Sequence, residues 1–354
     1  MEEPAWFVFF NHSEGVEKGS LTEMVSGKYG LPKNEALRFT NEIIAATEKF
    51  TKPFSPTADQ KSHTYSFPPH AGKKFVTRCY TMNGKYITIS YGSRLLEYYI
   101  HRSLAHLVEV NPPSMAVSGI ELFEHEDKYV LRNTSGNYGW HVFSDVGFLK
   151  HRLFIELSNF IYNKSESDWM SFVHASAVTD GHEALLITSS SGAGKSTLTA
   201  LLQRGELFFF SDDFVPVDAG RCRAHLFPAA LSVKHGAFDV VSKVYDKPDY
   251  ADADYRGSND SQVRFLRPKM PGGNFISLPV KKILFLRFNP QVDLYVKKLQ
   301  VSEALERFHG EAWVSHNPKH AKTFIDWFIN LDFFYVEYGN TERALDWVNG
   351  LFKV

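Results

Sequence analysis

A glycine-rich segment between an apolar strand and a helix constrains the fold of this chain more than any other feature. The segment consists of Ser191, Gly192, Ala193, Gly194, Lys195, Ser196 and Thr197. The apolar run 184–188 precedes it, and Leu198, Leu201 and Leu202 share one face of the helix that follows. This order of strand, loop and helix predicts a phosphate-binding loop at the carboxyl edge of an α/β sheet.

The loop has the chemistry that phosphate binding needs. Gly192 and Gly194 let the main chain curl so that successive N–H groups point inward, and the following helix adds its positive end. Lys195 is expected to reach the outer phosphates, and Ser196 to ligate magnesium. Ser189 stands where such loops usually have their first glycine, and a positive φ there would cost on the order of 1 kcal/mol. The alternative is a Ser/Gly-rich turn that merely contains Lys-Ser.

Bulk properties favour a folded protein of two domains. The chain has 354 residues, of which 44% are hydrophobic, and its net charge of -1 gives no bulk attraction to nucleic acid or acidic membranes. Cys79 and Cys222 show neither metal-ligand nor disulfide spacing, which fits a reducing cytoplasm. The acidic start at Met1 to Pro4 is unlike a secretory signal, and no apolar stretch approaches the roughly 20 residues of a membrane helix. We therefore expect a cytoplasmic protein without a membrane segment.

Hydrophobic periodicity predicts a different organisation in each half. Residues 1–165 are predicted to form a small α+β domain with a strand at Trp6–Phe10, an exposed loop at 51–70, helices at 34–50, 94–108 and 148–162, and hairpins at 75–91 and 120–131. Residues 166–354 are predicted to form an α/β domain with strands at 172–178, 184–188, 207–211, 282–288 and 333–338 and helices at 196–203 and 341–352. The polar run 163–168 marks the boundary.

Two carboxylates follow the third of these strands. The apolar run 207–211 ends in Asp212 and Asp213, and carboxylates beside a phosphate loop can hold magnesium or accept a proton. Because successive strand side chains point to opposite faces, we expect different roles, one toward the metal and one toward an incoming hydroxyl. The alternative is a solvated acidic turn.

Taken together, these segments resemble a known family of kinases. His174 within the run 172–178, the loop 191–197, Gly205, and the Asp pair within 211–215 occur in the same order and spacing as in the catalytic domain of HPr kinase/phosphorylase and its relatives. The resemblance covers the chain from about residue 170 to its end, including 263–268 and the strand from Lys282. It implies an α/β fold with a phosphoenolpyruvate carboxykinase-type P-loop core, preceded here by a smaller α+β N-terminal domain.

The resemblance implies a role for each matching residue. Lys195 and Ser196 would bind the phosphates of ATP and Mg²⁺, and Asp213 would join Ser196 at the metal. Asp212 would be the general base that takes the proton from a serine hydroxyl, although the two aspartates could be exchanged. His174 would lie close enough to tune the base, whereas by sequence chemistry alone it would be a packed strand residue.

Two arginines are further candidate site residues, and the chain departs from the family in two ways. Arg264 and Arg267 are candidates for stabilising the transferred phosphoryl group through paired donors, or else ordinary surface residues. Residues 223–234 lack the acidic, glycine-rich signature that follows the Asp pair in HPr kinase/phosphorylase, which favours a kinase over a phosphorylase. The first half lacks likeness to the regulatory domain of that enzyme, so its protein substrate is not implied.

The sequence leaves three functions open. The leading one is a kinase acting on a serine hydroxyl of a peptide, a small protein or a small molecule, with residues 1–165 recognising the substrate. A carboxykinase-like lyase would need more substrate apparatus than residues 166–354 offer. A nucleotide-binding adaptor without catalysis would explain Ser189 and the altered downstream segment. The relatives also make a homo-oligomer an expectation.

Overall fold

The computed structural model of the protein describes residues 7–8, 11–12, 16–51, 75–111, 118–134, 139–189, 192–243, 245, 250–256, 262–272 and 277–353. The fold is mixed α/β. Among the described residues, no helix combines the length and the apolar character that crossing a membrane requires.

The first half contains a five-stranded sheet flanked by helices. Its elements are α1 (Lys18–Tyr29), α2 (Lys33–Thr51), β1 (Val76–Met82), β2 (Lys85–Tyr91), α3 (Arg94–Ile100), β3 (Ser118–His125), β4 (Lys128–Asn133), β5 (Trp140–Phe143) and α4 (Val146–Tyr162). The strands pair in chain order, antiparallel except for β2 with β3. Asn83 and Gly84 turn the β1–β2 hairpin with positive φ angles of 53° and 71°, as the Asn-Gly pair predicts.

The second half is built around a larger sheet. Its elements are β6 (Trp169–Val173), β7 (Ser176–Thr179), β8 (Ala184–Thr188), α5 (Lys195–Leu202), β9 (Phe208–Ser211), β10 (Val215–Asp218), β11 (Arg223–His225), β12 (Leu231–Lys234), α6 (Phe238–Val241), β13 (Tyr250–Arg256), β14 (Gln262–Leu266), β15 (Ser277–Phe288), β16 (Leu294–Lys298), α7 (Val301–Phe308), β17 (Ala312–Val314), α8 (Pro318–Phe328), β18 (Asp332–Tyr338) and α9 (Thr341–Gly350).

The order of the strands in this sheet positions the candidate site. The sheet runs β17-β6-β10-β11-β15-β8-β7-β9, and β18 pairs with both β15 and β16. β15 is parallel to β8 and to β18, whereas β7 is antiparallel to both of its neighbours, β8 and β9. β8 and β9 therefore point the same way, so the residues that follow each of them meet at one edge. A separate small sheet has the order β12-β14-β13.

A cluster of buried side chains extends across the predicted domain boundary at residues 165 and 166. One cluster of buried side chains joins Leu149 and Phe154 of α4 to Phe172, Phe214 and Phe227 of the second half. The Phe154 ring lies 4.6 Å from that of Phe227 and 5.6 Å from that of Phe214, measured between ring centres. The two halves thus share apolar packing rather than meeting through a polar linker alone.

Three predicted elements differ from the structure. The single strand predicted at 172–178 is two strands, β6 and β7, separated by His174 and Ala175, because β6 pairs with β10 and β17 while β7 pairs with β8 and β9. The helix predicted at 94–108 ends at Ile100 and gives way to two 3-10 turns. The strand predicted at Trp6–Phe10 is wrong at Phe7 and Val8, which are helical, since a short apolar run fits either period. Its other residues, and the predicted loop after Thr51, lie outside the described residues.

Candidate functional site

The loop after β8 has the curled backbone that its glycines predict. Gly192 and Gly194 have positive φ angles of 86° and 98°, and α5 begins at Lys195 directly after them. A Cβ at position 194 would lie 3.1 Å from the hydroxyl oxygen of Tyr338 and 3.7 Å from the Cβ of Phe288. Position 194 therefore requires glycine both for its backbone angle and for the close approach of β18.

Lys195 is held inside this curl. Its side chain is 7% exposed, and its Nζ donates a hydrogen bond to the carbonyl oxygen of Ser189 at 3.0 Å. Ser189 is not among the described residues of positive φ, so serine in place of glycine carries no left-handed strain here. Ala193 and Thr197, on either side of the helix start, are partly buried, and Ser191 lies outside the described residues.

Asp212 lies beside the start of α5, as the strand order requires. Its side chain is 3% exposed. Its Oδ1 accepts hydrogen bonds from Ser196 Oγ at 3.0 Å and from Ser176 Oγ at 2.5 Å. Its Oδ2 accepts one from the main-chain N–H of Ser232 at 3.0 Å. The carboxylate of Asp212 and the hydroxyl of Ser196 thus belong to one cluster of oxygen atoms.

The environment of Asp212 disfavours its negative charge. Burial, followed by the nearby charge of Asp213, raises the pKa of Asp212 well above its ordinary value, while the hydrogen bonds from the three serines act in the opposite direction. A buried carboxylate of this kind is stabilised by a cation.

The oxygen cluster suits magnesium. Carboxylate and hydroxyl oxygens are hard ligands, and Mg²⁺ usually adds substrate phosphates and waters to one or two protein ligands. Ser196 and Asp212 fit that pattern. Within the described ranges, no group of three or more His, Cys, Asp and Glu could hold a metal ion by itself, so an ion here would also need oxygen ligands from a nucleotide or water.

Asp213 shares the hydroxyl of Ser232 with Asp212 but is exposed where Asp212 is buried. Its side chain is half exposed, and its φ of 61° lies in the left-handed region that few residues other than glycine adopt. Its Oδ1 lies 3.3 Å from Nε2 of His174, and Nδ1 of His174 lies 3.4 Å from Oε2 of Glu311. The imidazole is therefore held between two carboxylates.

Each member of this group shifts the ionisation of the next. The hydrogen bond to Asp213 raises the pKa of His174, with burial opposing it and the charges of Asp213 and Glu311 adding to it. Burial disfavours the ionised form of Asp213, but the hydrogen bond and charge of His174, with the charges of Lys195 and Lys150, lower its pKa overall. Asp213 and His174 are thus charged together over a wider pH range than two isolated groups.

Sequence reasoning missed two residues of this group, Glu311 and Lys150. Glu311 reaches His174 because β17 pairs with β6, and its carbonyl oxygen also accepts the main-chain N–H of His174 at 2.6 Å. No local pattern in the sequence predicts the pairing of two strands so far apart in the chain. Lys150 lies on α4, in the half of the chain that the resemblance does not cover.

Arg264 packs against an aromatic ring. Its guanidinium lies 4.1 Å from the centre of the Phe238 ring. On β14 it stands opposite Val233, whereas the residue of β12 that bonds to Asp212 is Ser232. Since neighbouring residues on a strand point to opposite faces, Arg264 and Ser232 leave this small sheet on different sides.

Arg267 lies beside a histidine of the first half. Its side chain is exposed. Burial lowers the pKa of His106 to about 4, and the nearby charge of Arg267 adds to this shift. The contacts given above bring the loop glycines, Lys195, Ser196, the two aspartates and His174 together, whereas those given for the two arginines are with Phe238 and His106.

No protein-family model matches the chain, and no curated protein is significantly similar to it in sequence. The function of the site must therefore be inferred from its own geometry. That geometry comprises a glycine loop at the start of a helix, a cluster of oxygen ligands beside it, and a histidine between two carboxylates.

Proposed function

We propose that the chain is an ATP- and magnesium-dependent kinase that transfers the γ-phosphoryl group to a serine hydroxyl of a peptide, a small protein or a small molecule. The observation that carries the proposal is the 3.0 Å hydrogen bond from Ser196 Oγ to Asp212 Oδ1, at the start of α5 and next to Lys195. Main-chain amides, a cation and metal-ligand oxygens meet at this point, which is what a nucleoside triphosphate with Mg²⁺ requires.

The strand arrangement supports a P-loop core of the phosphoenolpyruvate carboxykinase and HPr kinase type. β7 lies between β8 and β9 and is antiparallel to both. The phosphate loop after β8, the Asp pair after β9 and the break before β7 that contains His174 therefore share one edge. This is the grouping that the resemblance of the second half leads us to expect.

The contacts favour exchanging the expected roles of the two aspartates. Asp212 is bonded to Ser196, so these two residues would hold Mg²⁺. Asp213 is half exposed beside His174 and would receive the proton of the acceptor hydroxyl. Its lowered pKa makes it a weak base, but phosphoryl transfer through a loose transition state needs the base mainly to orient the hydroxyl.

In the proposed reaction the serine oxygen attacks the γ-phosphorus of ATP. A new O–P bond forms, the bond from that phosphorus to the bridging oxygen breaks with its electron pair leaving on ADP, and the hydroxyl proton passes to Asp213. Bound magnesium supplies charge neutralisation at the phosphate oxygens. Lys195 and the amides of the loop hold the phosphates, and His174 keeps Asp213 ionised until the proton arrives.

The first half is proposed to contribute to acceptor recognition. The His151 ring of α4 lies 5.3 Å from the ring of Phe214, the residue after Asp213. An acceptor whose hydroxyl reaches Asp213 would therefore come close to this helix. The cytoplasmic location and a homo-oligomeric state stay predictions.

Incubation with Mg²⁺ and γ-labelled ATP, with and without serine peptides, tests the proposal. Lys195→Ala should abolish both nucleotide binding and transfer. Asp213→Asn should lower turnover by roughly 10²- to 10⁴-fold, the range for general-base catalysis, with little change in MgATP affinity. Mass spectrometry of the peptides should show phosphate on serine.

Two outcomes would argue against a kinase. Failure of the wild-type chain to bind MgATP would contradict the proposal. Tight retention of ATP without transfer to any peptide or to water would instead favour a nucleotide-binding adaptor.

A further inference from the structure

A lysine of the first half of the chain, Lys150, lies on a helix that packs against the residue after the Asp pair. Lys150 is one helical turn before Phe154 on α4, and its Nζ lies 5.3 Å from the centre of the Phe154 ring. That ring is 5.6 Å from the ring of Phe214, which directly follows Asp213. His151 also packs against Phe214. This face of α4 is therefore anchored beside the Asp pair.

The ammonium group of Lys150 lies near two carboxylates but is not ion-paired with any carboxylate in the described part of the chain. The side chain is partly buried, and among the described residues no carboxylate forms an ion pair with it. Burial lowers the pKa of Lys150, while the charges of Asp213 and Asp212 favour its charged form. A cation withdrawn from water beside an aromatic ring, without an ion pair to a carboxylate, is unfavourable in a stable fold, and an anionic ligand would stabilise it.

The available carboxylates are already engaged elsewhere. Asp212 accepts hydrogen bonds from Ser196, Ser176 and Ser232, and Asp213 is paired with His174. The electrostatic partners of Asp213 include both Lys195 and Lys150. One lysine comes from the phosphate loop and the other from the first half of the chain.

We propose that Lys150 binds the nonbridging oxygens of the phosphoryl group as it passes from the nucleotide to the acceptor. This inference rests on the proposed function and adds a catalytic residue to it. The ligand class is a phosphate-like tetrahedral anion, held between Lys195 on the nucleotide side and Lys150 on the acceptor side. Charge spread over the equatorial oxygens of the transition state is stabilised by fixed cations of this kind.

The Lys150→Met substitution tests the role in catalysis, with ATP hydrolysis by water as the reaction because it needs no identified acceptor. Loss of one fixed donor to a transition state should lower kcat by about 10²-fold, and the affinity for MgATP should change little. Inorganic phosphate, titrated in the presence of MgADP, should bind at least about tenfold more weakly to the variant, the equivalent of about 1.4 kcal/mol. Lys150→Arg should retain part of both properties.

Lys164→Met is the matched control. Lys164 also lies over an aromatic ring, 5.4 Å from the centre of Trp169, but its charged neighbours include Asp168 and Asp218 rather than the Asp pair. Lys164→Met should leave kcat and phosphate affinity unchanged. Wild-type kcat in Lys150→Met would overturn the inference, and so would a loss of MgATP affinity as large as that of Lys195→Ala.

Thermal unfolding separates a ligand-binding role from a structural one. Methionine keeps the contact with Phe154 and removes the uncompensated charge, so Lys150→Met should melt at the same or a higher temperature than wild type. A drop of several degrees that Lys164→Met does not share would show that Lys150 supports the fold, and would overturn the inference.

Phosphate binding also distinguishes failure of the inference from failure of the proposed function. If the wild-type chain binds neither MgATP nor MgADP, the kinase proposal fails, and inorganic phosphate is then titrated alone. Binding that depends on Lys150 would still support the anion site. Equal phosphate binding by wild type and Lys150→Met would overturn the inference.

Discussion

At the scale of the residue, burial makes the negative charge of Asp212 unfavourable unless a cation is bound beside it. Its carboxylate is almost fully buried and lies next to a second carboxylate, so its pKa is raised in the folded protein. A group whose pKa is higher in the folded than in the unfolded protein contributes to stability at a pH below its unfolded pKa. This contribution is lost as the pH rises through its folded pKa. Ionised Asp212 therefore destabilises the folded protein near neutral pH when no cation is bound.

Asp212→Asn should consequently stabilise the metal-free protein. The amide can accept the N–H of Ser232 with its oxygen and donate to the hydroxyls of Ser176 and Ser196, which can accept as well as donate. We expect the free energy of unfolding in urea near pH 8 to rise by about 1–2 kcal/mol, and the difference from wild type to shrink as the pH falls toward the ordinary pKa of an aspartate. Stabilisation by MgATP should be lost in the same variant.

Asp213→Asn should have the opposite effect on the stability of the folded protein. Asp213 has a lowered pKa because of His174, so removing its charge breaks a favourable pair and should lower stability modestly at neutral pH. If Asp212→Asn also proved less stable than wild type near pH 8, the account of Asp212 as an uncompensated buried charge would be wrong.

At the scale of the element, the turn from β8 into α5 depends on one glycine. Gly194→Ala would place a side chain on a backbone with φ of 98° and within 3.1 Å of the Tyr338 hydroxyl. We expect the free energy of unfolding to fall by about 1–2 kcal/mol from the left-handed backbone. We also expect MgATP binding to fall sharply, because the amides at the start of α5 would shift, and isothermal titration would measure this.

Two further variants separate the effect of the backbone angle at position 194 from that of the close contact with Tyr338. Gly236→Ala adds a methyl group where no heavy atom lies within 4 Å and no positive φ is required, so it should change neither property. Adding Tyr338→Phe to Gly194→Ala removes the close oxygen but not the backbone strain, so it should recover stability only in part. Normal MgATP affinity in Gly194→Ala would contradict the proposed role of the loop.

Local patterns in the sequence predict the elements of the site but not all of their neighbours. β8, its loop and α5 follow from periodicity and glycine spacing, and the Asp pair follows from the end of β9. The direction of Arg264 depends on the register of β14 against β12, which alternation alone does not fix. Glu311 depends on the pairing of β17 with β6. Contacts between distant segments are set by tertiary packing, and a single sequence carries no direct signal of it.

At the scale of the whole molecule, the two halves that differ in sequence pattern share a cluster of buried side chains. The polar run 163–168 predicts a domain boundary, and the amphipathic helix before it buries Phe154 against rings of the second half. Lys150 and His151 lie on the same helix. The packing that joins the halves is thus also what brings α4 to the candidate transfer centre.

Phe154→Ala should therefore destabilise both halves together. Truncating a buried phenylalanine lowers the free energy of unfolding by about 3–5 kcal/mol. The ring of Phe154, which this substitution removes, contacts both Phe214 and Phe227. Hydrogen exchange should accelerate by similar factors in β2 and β15, one strand from each half, because both belong to one cooperative unit. Phe75→Ala, which removes a ring that is 55% exposed, should leave exchange in both strands near wild type. Faster exchange in β2 alone would show that the halves unfold independently, and α4 would then be a poor candidate to hold Lys150 rigidly beside Asp213.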